Sequence, residues 1–274
     1  MHTISILGLG WLGEPLGEKL QQMGYQVKGS TTNEEKLERL QKKELNPSLL
    51  QFCPHPQGER YQGLFETDIL FVNLPPRTRR LPDTFHPEQI KFIKEMATQA
   101  GVKKLIYVSA TSVYPDQNQT AFENDHLDLE NTGNKALLNA ENILRSGKSF
   151  DLTIIRYGGL LGVDRIPGRY FSGKEDVQGD TPVNYIHRDD AVNLAAWIIS
   201  QALWNEIFNG VAPEHPVRRE IYEKNAKDLG FAPPKNYSKE IIPYKVISPE
   251  KIIKTGYEFK IPNPLDFWYE KKKQ

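Results

Sequence analysis

The chain has 274 residues, with 35 Lys plus Arg against 35 Asp plus Glu, so its formal charge is zero. It has no net field to draw in nucleic acid or an anionic membrane, and neither is an expected partner. Its one cysteine, Cys53, cannot form an internal disulfide and has no neighbour that would activate it. With no signal-peptide or membrane-span pattern, the composition points to a soluble, cytoplasmic α/β protein with one large core.

In chain order, apolar β-branched runs of strand length occur at Ile4 to Leu7, Ile69 to Leu74, Leu105 to Ser109 and Leu152 to Arg156. Helical spacing separates them. Leu12, Leu16, Leu20 and Met23 fall on one face, and Ile90, Ile93 and Ala97 are in phase within Phe85 to Ala100. Ala136, Leu137, Ala140, Ile143 and Leu144 make a third stripe. Strand alternating with helix predicts a doubly wound parallel sheet of Rossmann type. Gly24 and Gly101 are placed to end helices in left-handed conformation, and Pro15 falls in a first turn. Residues 1–160 are expected to form this dinucleotide-binding domain. Residues 161–274 then partly complete its sheet and helices, over about 183–210, and partly build a small substrate-binding lobe. One further helix is expected from Ala191 to Ala202, and Lys271 to Lys273 read as a solvated end.

The most informative motif is at the start. Ile4-Ser5-Ile6-Leu7-Gly8-Leu9-Gly10-Trp11-Leu12-Gly13 is a strand followed by Gly-x-Gly-x-x-Gly opening an amphipathic helix. In that context Gly8 allows a tight turn, Gly10 lets backbone N–H groups approach a pyrophosphate at the helix N-terminus, and Gly13 permits helix–strand packing. Trp11 and Leu12 complete the loop. The end of the second strand, Lys28-Gly29-Ser30-Thr31-Thr32-Asn33, lacks the acid that would take the ribose 2′-OH of NAD. Glu34 and Glu35 are explained by a capping box with Thr32 as N-cap and Glu35 at N3. Ser30 and Thr31, with Lys36 and Arg39 nearby in sequence, favour NADP over NAD.

Three further segments bear on function: Val108-Ser109-Ala110-Thr111-Ser112-Val113-Tyr114-Pro115, Arg156-Tyr157-Gly158-Gly159-Leu160-Leu161-Gly162, and Val183-Asn184-Tyr185-Ile186-His187-Arg188-Asp189-Asp190-Ala191. With the glycine motif and Lys135 heading a helix, they resemble the extended short-chain dehydrogenase/reductase superfamily. The likeness is specifically to its epimerase/dehydratase-like group and closest to atypical bacterial members. The resemblance implies an NAD(P)-dependent oxidoreductase acting on a small hydroxylated, carbonyl or nucleotide-linked substrate. It implies cofactor contacts from Gly8, Gly10, Trp11, Leu12, Gly13, Ser30, Thr31, Asn73, Leu74, Pro75, Ser109 and Lys135. Such enzymes commonly dimerise through sheet-flanking helices, so a homodimer is a further implication.

In that superfamily a Tyr-x-x-x-Lys pair moves the substrate proton, and a Ser or Thr before it orients the same oxygen. Here the tyrosine position holds Asn131, equally readable as a helix N-cap, and the hydroxyl position holds Ala110. Lys135, Thr111 and Ser112 remain as catalytic candidates, although Lys135 also reads as an exposed first-turn lysine. Tyr157, Tyr170 and Tyr185 could supply a substitute acid or could be packing. Tyr157 and His187 are candidates for substrate binding, and Arg156 lies at a family position near the cleft. Arg77, Arg79 and Arg80 either contact phosphate or are simply solvated. No metal spacing, nucleophile elbow or Walker loop is present. A non-catalytic dinucleotide-binding module and a redox-independent lyase or isomerase remain the rival readings.

Overall fold

In a computed structural model of the chain, the described residues are 2–76 and 80–270. Arg77, Arg79 and the lysines at 271–273 lie outside them. The strands are β1 (Thr3–Leu7), β2 (Gln26–Thr31), β3 (Pro47–Phe52), β4 (Pro56–Gly58), β5 (Ile69–Val72), β6 (Lys104–Ala110), β7 (Gln119–Ala121), β8 (Asp151–Tyr157), β9 (Gly159–Leu161), β10 (Tyr185–His187), β11 (Ile207–Gly210) and β12 (Lys245–Ile247). The helices are α1 (Gly13–Gln22), α2 (Leu37–Lys42), α3 (Phe85–Gln99), α4 (Lys135–Arg145), α5 (Pro167–Tyr170), α6 (Arg188–Ser200), α7 (Arg218–Leu229) and α8 (Glu250–Ile253).

Eight strands form one sheet in the order β11-β8-β6-β5-β1-β2-β3-β4. β1 pairs in parallel with both β2 and β5, β5 with β6, and β2 with β3; β4 returns antiparallel. The expected doubly wound sheet of Rossmann type is present. From β1 the chain builds outward to β2 and β3, then reverses through β5 to β6. The reversal opens a crevice beyond the carboxyl ends of β1 and β5, where open α/β sheets bind ligands.

The helical stripes behave as their spacing requires. Leu16 and Leu20 of α1 are fully buried, as are Ile90, Ile93 and Ala97 of α3 and Ala140 and Leu144 of α4. Met23 departs from its stripe because α1 ends at Gln22, leaving Met23 at the cap and 38% exposed. Gly24 and Gly101 have φ of +89° and +70°, the left-handed conformation expected after a helix.

The chain divides into two compact units. The first comprises residues 1–113, 127–156 and 192–208; the second comprises 114–126, 157–191 and 209–274. The second unit contains two short parallel pairs, β9–β10 and β7–β12. It also contains α7, which sequence reading missed because its 12 residues bury only Ile221, Tyr222, Asn225 and Ala226.

Candidate cofactor site

The glycine turn leaves β1 at the sheet's switch point. Gly8 has φ of +107°, and a Cβ there would stand 2.5 Å from the Asn73 carbonyl oxygen. A Cβ on Gly13 would fall 2.1 Å from the Gly8 carbonyl oxygen. Both glycines are therefore required by backbone packing. Gly10 differs: a Cβ added there meets no atom within 4 Å. Nothing inside the protein occupies the space a side chain would take at this position.

Side chains from both neighbouring strands hold the turn. The Gly8 N–H donates to Ser30 Oγ at 3.0 Å and the Leu9 N–H to the Ser30 carbonyl at 2.6 Å. From β5, the Asn73 N–H donates to the Leu7 carbonyl at 2.9 Å, and Asn73 Nδ2 donates to the Gly8 carbonyl at 3.2 Å. Leu12 is the N-cap of α1 and offers no side-chain acceptor to the first-turn N–H groups. The Glu14 N–H is taken by the Gly10 carbonyl at 3.0 Å and Pro15 has none, so it is the positive end of the helix dipole and the gap over Gly10 that fit a pyrophosphate.

Of the other proposed contacts, Leu12 is 3% exposed and can contribute only backbone, whereas Trp11 is half-buried. Leu74 is half-buried and Pro75 exposed, immediately beyond β5.

The end of β2 corrects two expectations. Thr32 does not form a capping box. The cap before the short 3-10 turn Glu34–Lys36 is Asn33, without a side-chain bond, and Thr31 Oγ1 accepts from the Asn33 N–H at 3.2 Å. The hydroxyl one residue earlier thus captures the turn's donor. Arg39 is not open to a phosphate: its guanidinium grips both carboxylate oxygens of Glu14, which Lys43 also contacts. These cations hold the Glu14 carboxyl below its ordinary range against the opposing, larger effect of burial. They also offset a carboxylate in the first turn of α1.

Beyond β6, Ser109 is buried and its Oγ donates to Glu141 Oε1 at 2.7 Å. Thr111 is 7% exposed, whereas Ser112 is exposed and accepts from Asn134 Nδ2 at 3.3 Å. The Asn134 side chain also caps α4, accepting from the Leu137 N–H at 3.1 Å. Asn131 is not the cap. Its side-chain oxygen accepts from the Asp128 N–H at 3.0 Å, and its own N–H returns to Asp128 Oδ1 at 2.9 Å, closing a local turn. Lys135 is the first residue of α4 and is exposed.

Arg156 is corrected as well. It is 2% exposed and donates to Glu141 through Nε at 3.0 Å and Nη2 at 2.6 Å, so it anchors β8 to α4 instead of facing a ligand. Glu141, absent from the sequence-based site, is wholly buried at the centre of this network. Its place on the apolar face of α4 was the available signal.

In the second unit, neither proposed substrate contact presents its side chain. Tyr157 is 2% exposed and its hydroxyl donates to the Ala191 carbonyl at 2.6 Å; burial raises its pKa. His187 is fully buried, with Nε2 on the Trp268 carbonyl at 3.2 Å and Nδ1 accepting from the Asp189 N–H at 3.2 Å. Burial also raises the pKa of Tyr185, whereas Tyr170 is 64% exposed. Among the described residues, no group of His, Cys, Asp and Glu could hold a metal, and no helix is long and apolar enough to cross a membrane.

Residues 8–202 match the family described as NAD(P)H-binding. The chain belongs to this family. It is also 30% identical to Protein YeeZ of Escherichia coli (strain K12) over 269 residues, covering 97% of this chain and 98% of that protein. Two solved structures share the fold. One is UDP-glucuronic acid 4-epimerase from Bacillus cereus, in complex with UDP-glucuronic acid and NAD (TM-score 0.77, 17% identity, 97% and 96% coverage). The other is a functionally unknown conserved protein from Silicibacter pomeroyi DSS (TM-score 0.73, 19% identity, 97% and 96% coverage). Membership of the NAD(P)H-binding family agrees with the dinucleotide-binding reading of the glycine motif, and the two solved structures share the fold that the resemblance to the extended short-chain dehydrogenase/reductase superfamily implies.

Proposed function

We propose that the protein is an NADP-dependent oxidoreductase of epimerase/dehydratase type, acting on a small hydroxylated, carbonyl or nucleotide-linked substrate. The observation that carries this reading is the glycine turn, in which Gly8 and Gly13 are fixed by packing and Gly10 leaves space for a ligand. The bound nicotinamide would supply or accept the hydride. The chain's own part is to hold the pyrophosphate on the first turn of α1, to line the adenosine side with Asn73, Leu74 and Pro75, and to place Lys135 and the Ser112 hydroxyl near the reacting oxygen.

NADP is preferred over NAD because no carboxylate lies within β2, which ends on Ser30-Thr31. The epimerase from Bacillus cereus was solved with NAD, so titration of both cofactors is the deciding measurement. Purified protein is screened with NADPH against aldehydes, ketones and nucleotide sugars, following absorbance at 340 nm. Turnover on the order of 1 per second that Lys135→Ala abolishes supports the proposal.

One observation favours a second reading. Asn131 stands where the superfamily's tyrosine would be and is used in a local turn with Asp128. A non-catalytic NADP-binding module is consistent with that. NADPH binding with no turnover across the screen would favour it.

A further inference from the structure

We propose that Arg39 and Lys43 are positioning residues for the cofactor: they hold the Glu14 carboxylate away from the N-terminal pole of α1 and so keep that pole open to the pyrophosphate. The inference rests on the cofactor reading above.

Glu14 is the second residue of α1 and follows the glycine turn directly. Helical side chains lean towards the N-terminus, and an acid in the first turn is drawn to the positive pole of the dipole. The same pole attracts a pyrophosphate. An unrestrained Glu14 carboxylate is therefore a built-in competitor for the ligand, of the same sign of charge. In the structure it is turned to α2 instead. Arg39 donates from Nη1 to Oε1 and from Nη2 to Oε2, the second bond at 2.6 Å, and Lys43 Nζ adds a bond of 2.8 Å to Oε1. This forked pairing fixes the plane of the carboxylate as well as its place. Lys43 also donates to Glu18, one turn further along α1, so two acids are balanced by two cations. The Glu14 side chain is only 13% exposed, which keeps its carboxylate beneath the cations and out of bulk water.

These ion pairs are not what attaches α2 to α1. Gln21 Nε2 donates to the Lys43 and Glu44 carbonyls at 3.2 and 2.8 Å. Leu40 and Leu45 are fully buried, and a Cβ on Gly17 would stand 2.7 Å from Leu45 Cδ2. All of these contacts survive removal of a charge. The consequence of losing Arg39 therefore falls on the Glu14 carboxylate, and through it on the ligand. Because the Arg39 fork is filled by Glu14, its contribution is common to every dinucleotide with a pyrophosphate on this turn, with or without a 2′-phosphate.

Calorimetric titration of NADPH and of NADH into the native protein, Arg39→Gln, Glu14→Gln and the double variant tests the proposal. Arg39→Gln should weaken both cofactors by the same factor, at least about threefold, with little change in melting temperature. Glu14→Gln should bind both at least as tightly as the native protein. In the Glu14→Gln background, Arg39→Gln should change either affinity by less than about twofold, because the carboxylate it restrains is gone. Lys43→Gln covers an Arg39 variant that fails to fold: it should weaken both cofactors to a smaller extent, and Glu14→Gln should cancel that loss too. A loss confined to NADPH would mean that Arg39 meets the 2′-phosphate itself. That result, an equal loss with and without Glu14, or no loss at all overturns the proposal and leaves the cofactor reading standing. A native protein that takes up neither cofactor removes that reading, and this inference with it.

Discussion

Ser30 Oγ, at the end of β2, accepts the Gly8 N–H at 3.0 Å and so ties the second strand to the glycine turn that leaves the first. Ser30 is 2% exposed, so no water can replace it readily. Ser30→Ala leaves a half-buried donor, the Gly8 N–H, unpaired and should cost about 1 kcal/mol. A shift in urea midpoint at unchanged m-value would register it.

The three glycines of the turn should separate by experiment. Gly13→Ala puts a Cβ 2.1 Å from a backbone oxygen, where no rotamer change relieves it, and should destabilise the fold by about 1–3 kcal/mol. Gly10→Ala meets nothing within 4 Å and should leave the melting temperature unchanged while weakening NADPH at least about tenfold, or about 1.4 kcal/mol. Thermal melts and cofactor titrations of the two variants should therefore give opposite patterns.

Glu141 and Arg156 form a pair buried on both sides, at 0% and 2% exposure. Arg156→Met removes the buried partner and leaves Glu141 only Arg145, at 3.2 Å, and the Ser109 hydroxyl, at 2.7 Å, which should cost about 3 kcal/mol. Met at both positions should cost less than the two single changes added together, because the double variant strands no charge. Denaturant unfolding of the three variants measures this coupling.

Stability should fall on mild acidification. His86, His187 and His215 are all held below the ordinary 6.5, burial being the largest cause at each. For a group whose folded-state pKa is lowered, the stabilisation is complete above 6.5 and lost as pH falls through the folded value, because the unfolded chain takes the proton first. Each histidine contributes a slope of up to about 1.4 kcal/mol per pH unit in that window. His86→Gln should flatten the decline measured between pH 7 and 5; Nδ1 of His86 lies 3.0 Å from Gln89 Oε1 and Nε2 2.7 Å from the Tyr107 hydroxyl.

Much of the first unit was legible because its signals are local. The apolar runs of β1, β5, β6 and β8 and the stripes of α1, α3 and α4 each follow from burial on one period. The glycine motif carried the position of the cofactor turn for the same reason. Side-chain commitments were not legible, since they depend on residues distant in sequence. Arg39 is taken by Glu14, 25 positions away, and Ser109 by Glu141, 32 positions away. Tyr157 and His187 looked functional by motif, yet their polar atoms are satisfied by backbone groups at Ala191, Asp189 and Trp268. The cap of α4 was misplaced by three residues because Asn131 and Asn134 are chemically identical. The turn with Asp128 engages the first, and the Leu137 N–H the second.

Binding of NADP at the Gly8–Gly13 turn is tested most directly by calorimetric titration of NADPH and NADH into the native protein and Gly10→Ala. One site per chain, tighter for NADPH and weakened at least about tenfold in the variant, is the result expected. A folded native protein that takes up neither cofactor, or a variant that binds both as well as the native chain, would contradict it.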